Sequence, residues 1–337
     1  MIHDIMLAES LVGACVEQGN ISGAVMQVGH GNTVDFQKAY GYAQIVPDRH
    51  LMTENTRFDL ASVTKITACW PSVVLLLDSG TLTLDSVLSE MLEESNLPKA
   101  SRRITLRHLL THTAGFVPFH DTEGLTRVER IRSLLALPLQ SEPGTQSVYS
   151  DLSFICLGEI ISRYMGTQLD QAARKIFISL GMHDTCFTPG RDLPFASTEV
   201  VNGVTTCGTV HDERAQQLDG VAGHAGLFST AADLGLFCSA ITSIPRHPLF
   251  RSPWVDSSFK LQTPLDGLRG LAWVIYSNAP KKRIVGHSGF TGTSVMLSPD
   301  TGAWFVLLSN RIHPSRENQA FAELRKMVAL ALFGQEV

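Results

Sequence analysis

The tetrapeptide Ser62-Val63-Thr64-Lys65 constrains this chain most, because an almost wholly apolar run, Ile66 to Leu77, follows it. Residues three positions apart share one face of a helix, so Lys65 can reach the Ser62 hydroxyl within a single turn. A serine hydroxyl becomes a strong nucleophile only when a neighbouring base takes its proton. Because burial disfavours the ammonium form of a lysine, the apolar run predicts a Lys65 that can serve as that base.

Two flanking residues define the predicted helix further. Asp59 stands where an N-cap residue accepts a hydrogen bond from a first-turn N–H. Pro71 lies inside the apolar run, lacks the N–H that would bond to Thr67, and so predicts a kink. A second serine–lysine pair at Ser257-Ser258-Phe259-Lys260 is followed by polar residues and a proline, which predicts a surface segment.

Two later tripeptides add groups suited to the same chemistry. Tyr149-Ser150-Asp151 directly precedes an apolar-periodic segment, Leu152 to Met165, which predicts a helix. His287-Ser288-Gly289 precedes the apolar run Thr293 to Leu297, and the surrounding pattern predicts strands. The Tyr149 hydroxyl can relay a proton between a serine nucleophile and a leaving group.

The order and context of these three elements match the S-x-x-K, Y-x-N and K-T-G motifs. The chain therefore resembles the serine β-lactamase and penicillin-binding-protein superfamily, with greatest similarity to class C β-lactamases, D-alanyl-D-alanine carboxypeptidases and related carboxylesterases. Two further stretches, Arg57 to Ala61 and Thr105 to Gly115, also resemble the family. A third, Gly223 to Thr230, together with Val210 to Glu213 and Ser309 to Arg311, resembles a subgroup of penicillin-binding-protein homologues that includes a muramyl-peptide amidase.

The resemblance implies a role for each motif residue. Ser62 attacks a carbonyl carbon after losing its proton to Lys65 or Tyr149, and water or another acceptor then releases the acyl group. The implied oxyanion hole is formed by the backbone N–H groups of Ser62 and Phe290. Ser288 and Gly289 belong to the substrate-binding strand.

Two departures from the family motifs bear on the substrate. Asp151 replaces the usual asparagine, so an acceptor-only carboxylate stands where a side-chain amide contacts the substrate. His287 replaces a lysine, and a histidine is mostly neutral at pH 7. If His287 binds a substrate carboxylate, binding should strengthen as the pH falls through about 6.5, and His287→Lys should improve reaction with β-lactams. Arg311 can supply the missing positive charge or can be a solvated loop residue.

Composition excludes other classes of protein. The net charge of −5 gives no basic footprint for nucleic acid. Among the 12 histidines, His108 and His112 have helical spacing for two metal ligands, but Leu109 replaces the glutamate of a zinc-protease motif. We therefore predict no metal and no cofactor, and expect His211, Asp212 and His224 to order loops or line the cleft.

The first residues of the chain predict an amphipathic helix and lack the basic segment of a signal peptide. The apolar run after Lys65 is too short to span a bilayer, so no membrane segment is predicted. The six cysteines are scattered, which favours reduced thiols and a cytoplasmic protein. A cytoplasmic member of the family would act on small esters or on recycled cell-wall fragments. The oligomeric state is left open.

The two ends of the chain predict one sheet. A helix near 4–18 precedes strands Ile21–Val28 and Val34–Tyr42, joined by a turn at 29–32. Strands near 271–277, 283–288, 292–298 and 303–309 precede a final helix, Arg316–Phe333. The expected fold is α/β (α+β) and β-lactamase/transpeptidase-like, with an antiparallel sheet flanked by the terminal helices plus a helical domain. We assign 1–80 and 262–337 to a discontinuous sheet domain and 81–261 to a helix-rich insertion.

The function predicted from these motifs is a serine hydrolase that acts on ester or amide bonds through a covalent acyl-enzyme. The departures at Asp151 and His287 favour a carboxylesterase or a cell-wall-peptide amidase. The alternatives are a β-lactamase or D-alanyl-D-alanine carboxypeptidase, and a catalytically silent penicillin-binding scaffold. The expected substrate is a small ester, an amide or a muropeptide.

Overall fold

A computed structural model describes residues 2–93, 97–117, 124–190, 194–265, 267–318 and 320–334. Its strands are β1 Gly23–His30, β2 Thr33–Gln44, β3 His50–Leu51, β4 Phe58–Asp59, β5 Cys186–Phe187, β6 Val200–Val201, β7 Val204–Thr205, β8 Leu227–Ser229, β9 Val274–Ser277, β10 Ile284–Gly289, β11 Thr293–Leu297 and β12 Ala303–Ser309. Its helices are α1 Ile5–Glu17, α2 Trp70–Asp78, α3 Leu88–Met91, α4 Leu106–Leu110, α5 Arg127–Ala136, α6 Asp151–Met165, α7 Leu169–Leu180, α8 Glu213–Gln216, α9 Ala231–Thr242, α10 Pro253–Ser258 and α11 Ala320–Phe333.

Strands from both ends of the chain form one antiparallel sheet in the order β3-β2-β1-β12-β11-β10-β9. Alternate residues of each strand face opposite sides of the sheet. On one side, Met26 and Phe305 pack with the two terminal helices, α1 and α11. On the other side, Val25 and Val306 pack with α9 and the rest of the larger core. The predicted fold class, with terminal helices against an antiparallel sheet, is confirmed.

The sequence located most terminal elements to within two or three residues. The predicted strand at 303–309 is β12, and the predicted turn at 29–32 is shorter, since only Gly31 and Asn32 separate β1 from β2. The predicted helix Arg316–Phe333 is too long, because α11 begins at Ala320. Residues 271–273 are not in a strand, and β9 begins at Val274.

A small three-stranded sheet, β4-β8-β5, lies beside the larger core. Its strand β4 leads directly into the serine–lysine segment, and its central strand β8 hydrogen-bonds to β4 through Phe58 and Ser229. Most other elements between 81 and 261 are helices, although α9 packs on the large sheet. The division of the chain into two domains at the boundaries given above stays a prediction.

One helical run in the described residues, Ala61–Asp78, is long and apolar enough to cross a bilayer, and 83% of it is buried in the fold. Such burial is what the core helix of a folded protein shows. All six cysteines are free thiols. The predicted cytoplasmic location stays a prediction.

Candidate active site

The serine–lysine segment is not one regular α-helix. A 3₁₀ turn, Ala61–Val63, leads into a π-helical turn, Lys65–Cys69, before α2 begins. The Trp70 N–H bonds to the Lys65 carbonyl five residues back, and Pro71 stands in the first turn of α2, where its missing N–H is least costly. The irregularity predicted as a kink at Pro71 therefore lies before it, in the wide π-helical turn Lys65–Cys69.

Asp59 lies in β4 and is not the N-cap residue, which corrects the sequence expectation. Its carboxylate still accepts a hydrogen bond from the Ala61 N–H at 2.9 Å and another from the His211 N–H at 2.6 Å. Ala61 has a φ of 45°, a conformation that costs energy in a residue other than glycine. Asp59 thus holds the strained turn that presents Ser62.

The side chains of Ser62, Lys65 and Tyr149 meet at the Ser62 hydroxyl. Lys65 Nζ donates to Ser62 Oγ at 2.8 Å, and the Tyr149 hydroxyl lies 2.7 Å from the same oxygen. Lys65 Nζ also lies 4.8 Å from the centre of the Tyr149 ring. Lys65 is fully buried, whereas Tyr149 is 38% exposed and Ser62 lies at the surface of a cavity.

Asp151 determines the charge of Lys65. Its Oδ1 accepts from Lys65 Nζ at 2.9 Å and its Oδ2 accepts from Arg214 at 3.2 Å. Burial, the largest single influence, acts to lower the pKa of Lys65, but the charge and hydrogen bond of Asp151 together with those of Tyr149 outweigh it, and the pKa is raised. Burial alone would raise the pKa of Asp151, but Lys65 and His224 lower it to about 2.

Two sequence expectations are therefore wrong. Lys65 is not a neutral base, because Asp151 and Tyr149 together raise its pKa and favour the ammonium ion. Asp151 does not present a free carboxylate to a substrate, because both its oxygens bind cations of the protein.

A second carboxylate lies behind this ion pair. Asp212 Oδ1 lies 2.8 Å from His224 Nε2, and the His224 carbonyl accepts from Lys65 Nζ at 3.2 Å. Ligand atoms of Asp151, Asp212 and His224 all lie within 4.8 Å of one another, as metal ligands do. They do not fit a resident metal, because the Lys65 ammonium and Arg214 already provide the cations that pair with Asp151.

The His112 ring packs against the Tyr149 ring, and the two ring centres lie 4.5 Å apart. It is buried, and its Nδ1 accepts from the Ser150 N–H at 3.2 Å. His108 Nδ1 similarly accepts from the Thr105 N–H at 3.1 Å. Both histidines therefore hold backbone N–H groups.

The end of β10 lies directly against the Ser62 turn. A Cβ on Gly289 would stand 2.4 Å from the Leu60 carbonyl oxygen, so only glycine allows this approach. Thr291 and Thr293 donate their hydroxyls to the carbonyls of Asp59 and Leu60. These contacts bring Phe290 beside Ser62, and the Phe290 N–H has no hydrogen-bond partner within the described ranges.

His287 differs from its expected role. It is 3% exposed, and one ring nitrogen, Nδ1, lies 2.9 Å from the Ser288 carbonyl. Burial, followed by the positive charge of Lys65, lowers the pKa of His287 to about 3. A lowered pKa leaves His287 neutral near pH 6.5 and does not support the change in substrate binding expected there, which stays a prediction.

Ser62 and Tyr149 line a cavity of about 560 Å³ together with the predicted substrate residues His287, Ser288, Gly289, Phe290 and Arg311. Sequence analysis missed Arg269 and Arg325 in the same lining. It also missed Arg214 as the partner of Asp151, and no motif marks any of the three. Within the second serine–lysine pair, Ser257 is half-buried on α10 and Lys260 is exposed, away from this cavity.

Comparisons with known proteins show what the chain is similar to. A chain from Salmonella agona, provisionally named D-alanyl-D-alanine carboxypeptidase, is 28% identical over 84% of this chain and 77% of its own length. An N-acetylmuramyl-L-alanine amidase from Bacillus subtilis is 28% identical over 86% of this chain and 77% of its own length. The structure of EstCE1, a hydrolase with promiscuous acyltransferase activity, superposes with a TM-score of 0.80 at 21% identity, covering 97% of this chain and 98% of that one.

A profile of the Beta-lactamase family matches residues 8–328, nearly the whole chain. That extent exceeds what any single motif provides, and it includes the serine–lysine segment and the end of β10. The resemblance drawn from the motifs is confirmed: the chain belongs to the β-lactamase family of hydrolases.

Proposed function

We propose that this protein is a serine hydrolase that cleaves small ester or amide bonds through an acyl-enzyme on Ser62. The observation that carries the proposal is the pair of hydrogen bonds to Ser62 Oγ, one from Lys65 at 2.8 Å and one with Tyr149 at 2.7 Å. A serine that contacts both an ammonium ion and a second proton-transfer group is arranged for nucleophilic attack.

The protonated Lys65 assigns the remaining roles. An ammonium ion has no lone pair to accept a proton, so Tyr149 acts in its phenolate form, having given its own proton to solvent, and its oxygen takes the Ser62 proton as Ser62 Oγ attacks the carbonyl carbon. The same proton then passes from Tyr149 to the leaving oxygen or nitrogen as the bond to it breaks. Lys65 stabilises negative charge on the Tyr149 and Ser62 oxygens, because it lies close to both.

The oxyanion of the tetrahedral intermediate would bind to the N–H groups of Ser62 and Phe290. The ties from Thr291 and Thr293 to the Ser62 turn hold these two groups in a fixed relation. Water then attacks the acyl-enzyme carbonyl carbon, returns a proton through Tyr149, and frees Ser62.

The relatives support acyl-transfer hydrolysis, since their names include an amidase, a carboxypeptidase and a hydrolase with promiscuous acyltransferase activity. We favour esters and cell-wall-derived peptides over β-lactams, because the position of the family's third-motif lysine holds a neutral histidine. A β-lactamase or carboxypeptidase remains the second candidate, and its support is the family itself.

Labelling and turnover test the proposal together. A fluorophosphonate probe should label the wild-type chain on Ser62, and Ser62→Ala should lose both the label and the hydrolysis of p-nitrophenyl esters. Ser257→Ala, in the second serine–lysine pair, should keep both. Hydrolysis by Ser62→Ala at the wild-type rate would refute the proposal.

Four reagents separate the candidate functions: esters, muropeptides, nitrocefin and fluorescent penicillin. Turnover of esters or muropeptides with slow nitrocefin hydrolysis supports the proposal, whereas rapid nitrocefin hydrolysis indicates a β-lactamase. Stable labelling by fluorescent penicillin without turnover indicates a silent penicillin-binding scaffold.

A further inference from the structure

The N–H of Phe290, one of the two groups proposed to bind the oxyanion, lies in a tight turn. Phe290, Thr291 and Gly292 form this turn between β10 and β11. The Phe290 side chain is 49% exposed, so packing in the core does not fix it. An N–H group stabilises an oxyanion best when its direction is set before the reaction begins. Other contacts of Phe290 must therefore hold this N–H in place.

The first of these contacts is the stacking of His211 on the Phe290 ring. The two ring centres lie 5.7 Å apart and the ring planes are inclined by only 18°, which is an offset-stacked pair. His211 is itself 7% exposed and is absent from the lining of the Ser62 cavity formed by the residues that the structure describes. His211 can therefore act on the reaction through Phe290, and not by contact with a substrate in that cavity.

His211 is a fixed support because it is held at both ends. Its backbone N–H donates to Asp59 Oδ2 at 2.6 Å. At the far end of the ring, Nε2 lies 3.0 Å from Glu199 Oε2, and a charged carboxylate only accepts hydrogen bonds, so Nε2 carries the proton and donates it. Glu199 also accepts from Arg316 Nε at 2.7 Å, and Arg316 donates to Glu213 at 2.9 Å. The ring thus rests on a cluster of ion pairs.

The carboxylate of Glu199 is charged at neutral pH. Burial acts to raise its pKa, but hydrogen bonds from His211 and Arg316 outweigh burial, and the pKa is lowered. A hydrogen bond to a charged acceptor is stronger than one between neutral groups. The contact with Glu199 therefore fixes the plane of the His211 ring against which Phe290 packs.

Arg311 holds Phe290 from its carbonyl side. Its Nε donates to the Phe290 carbonyl at 2.7 Å, and its guanidinium carbon lies 4.7 Å from the centre of the Phe290 ring. A second nitrogen of Arg311, Nη1, donates to the Asn318 carbonyl. The ring and the carbonyl of Phe290 are both restrained, and because its N–H belongs to the same residue, the direction of the N–H is restrained with them.

His211 is also connected to the other oxyanion donor, the N–H of Ser62. The Asp59 carboxylate that accepts from His211 accepts from the Ala61 N–H as well, in the turn that carries Ser62. One residue therefore contacts the support of the first donor with its backbone and the second donor's residue with its ring. A displacement of about 1 Å between such groups can cost roughly 100-fold in rate.

We propose that His211 is a positioning residue, whose ring holds Phe290 so that the Phe290 N–H stays aligned with the Ser62 N–H. This inference rests on the proposed function at Ser62 and adds a residue that none of the three motifs contains. Because the oxyanion exists in the transition state and not in the bound substrate, loss of this alignment lowers kcat and leaves KM nearly unchanged.

A pair of substrates that differ in one atom tests the proposal. The first is p-nitrophenyl butyrate, and the second is its thionoester, in which sulfur replaces the carbonyl oxygen. Sulfur is larger than oxygen and accepts hydrogen bonds weakly, so aligned N–H donors favour the ester. In His211→Ala we expect the ester-to-thionoester ratio of kcat/KM to fall about tenfold, through kcat. A loss of folded protein slows both substrates equally, so an unchanged ratio would overturn the inference.

Two conservative substitutions separate the ring of His211 from its hydrogen bond to Glu199. His211→Phe keeps a ring to pack on Phe290 and loses the donor, whereas His211→Gln keeps a donor and loses the ring. We expect His211→Phe to keep the wild-type ratio within about threefold and His211→Gln to match His211→Ala. The reverse order would show that the ring does not position Phe290, and would refute the inference.

His247→Ala is the matched control. His247 is half-buried and its ring accepts from the Leu249 N–H at 3.4 Å, but it lies outside the described lining of the Ser62 cavity. Its kcat, KM and substrate ratio should equal those of the wild type, and a ratio that falls as far as in His211→Ala would also refute the inference.

Ser62→Ala distinguishes failure of this inference from failure of the proposed function. If Ser62→Ala hydrolyses the ester at the wild-type rate, the proposed function fails, and the inference fails with it. If hydrolysis depends on Ser62 but the ratio is the same in His211→Ala and the wild type, only the inference fails. Hydrolysis that depends on Ser62, with a ratio that falls in His211→Ala and returns in His211→Phe, supports both.

Discussion

At the scale of single residues, the carboxylate of Asp151 has the largest consequence because it acts on a fully buried lysine. An unpaired ammonium ion in that position would lose its proton readily, as buried lysines do. The ion pair at 2.9 Å prevents this, and Arg214 balances the remaining negative charge. Because Asp151 stands where the family has an asparagine, the side-chain amide is lost from substrate binding. The same aspartate favours the protonated form of Lys65, which lies beside Ser62.

The first prediction follows from that ion pair. Asp151→Asn should bring the pKa of Lys65 below its raised value, because burial then acts without the opposing charge of Asp151. Since the proposed mechanism needs the ammonium form, the alkaline limb of the kcat/KM profile should move to lower pH by about one unit or more.

The matched control is Glu159→Gln on the same helix α6, because Glu159 pairs with Arg127 instead. Its alkaline limb should coincide with that of the wild type. An unshifted limb in Asp151→Asn would show that Asp151 does not control Lys65.

A second residue-scale prediction concerns His287. From the sequence alone, His287→Lys is expected to improve reaction with β-lactams. The structure predicts the opposite, because an ammonium ion at this 3% exposed position would lie close to Lys65 and Arg269, and the nearby carboxylate of Asp151 is already paired with Lys65 and Arg214. His287→Lys should lower the free energy of unfolding by about 3 kcal/mol or more, measured by urea denaturation at pH 7.

His30→Lys is the control, because His30 is exposed at the end of β1, and its stability should change little. Wild-type stability together with faster β-lactam hydrolysis in His287→Lys would restore the sequence interpretation.

At the scale of elements, the contact between β10 and the Ser62 turn determines whether the oxyanion donors are aligned. Gly289→Ala should lower kcat/KM about 100-fold, because its Cβ would meet the Leu60 carbonyl at 2.4 Å and force the two segments apart. Steady-state kinetics measure the loss, and circular dichroism melting checks that the variant is folded. Gly190→Ala should leave both unchanged, since its Cβ has no neighbour within 4 Å. A fully active Gly289→Ala would show that this contact does not align the site.

The terminal strands were predictable from the sequence because each alternates or runs apolar between clear turns, as at Gly31 and Asn32. Local pattern also located Ser62, Lys65 and Tyr149. It did not predict the π-helical turn at Lys65–Cys69, which depends on hydrogen bonds that a hydrophobic pattern does not encode. Nor did it predict the partner of Lys65, because Asp151 is 86 residues away in sequence.

At the scale of the whole molecule, the candidate site lies where three distant parts of the chain meet. Asp59 contacts all three: its carboxylate accepts from the Ser62 turn and from the His211 N–H, and its carbonyl accepts from Thr291. These contacts join the small sheet, the segment before α8 and the end of the large sheet. A change in the charge of Asp59 therefore affects the alignment of the entire site.

The last prediction concerns how acid affects that junction. Burial raises the pKa of Asp59 to about 6 from 3.8, although hydrogen bonds from His211 and Ala61 partly oppose the rise. Below that pKa one carboxyl oxygen carries a proton and accepts the backbone N–H less well, so kcat/KM should fall as the pH drops through about 6.

The contribution of Asp59 to folding stability should change with pH in the direction opposite to its effect on kcat/KM. Between pH 3.8 and about 6 the folded state binds a proton that the unfolded state does not, so the contribution of Asp59 to stability falls as the pH rises across that interval. Asp59→Asn should lower activity at neutral pH and remove the acid limb near pH 6, while Asp35→Asn, an exposed carboxyl on β2, should change neither. An acid limb that persists unchanged in Asp59→Asn would assign it to another group and leave Asp59 a purely structural residue.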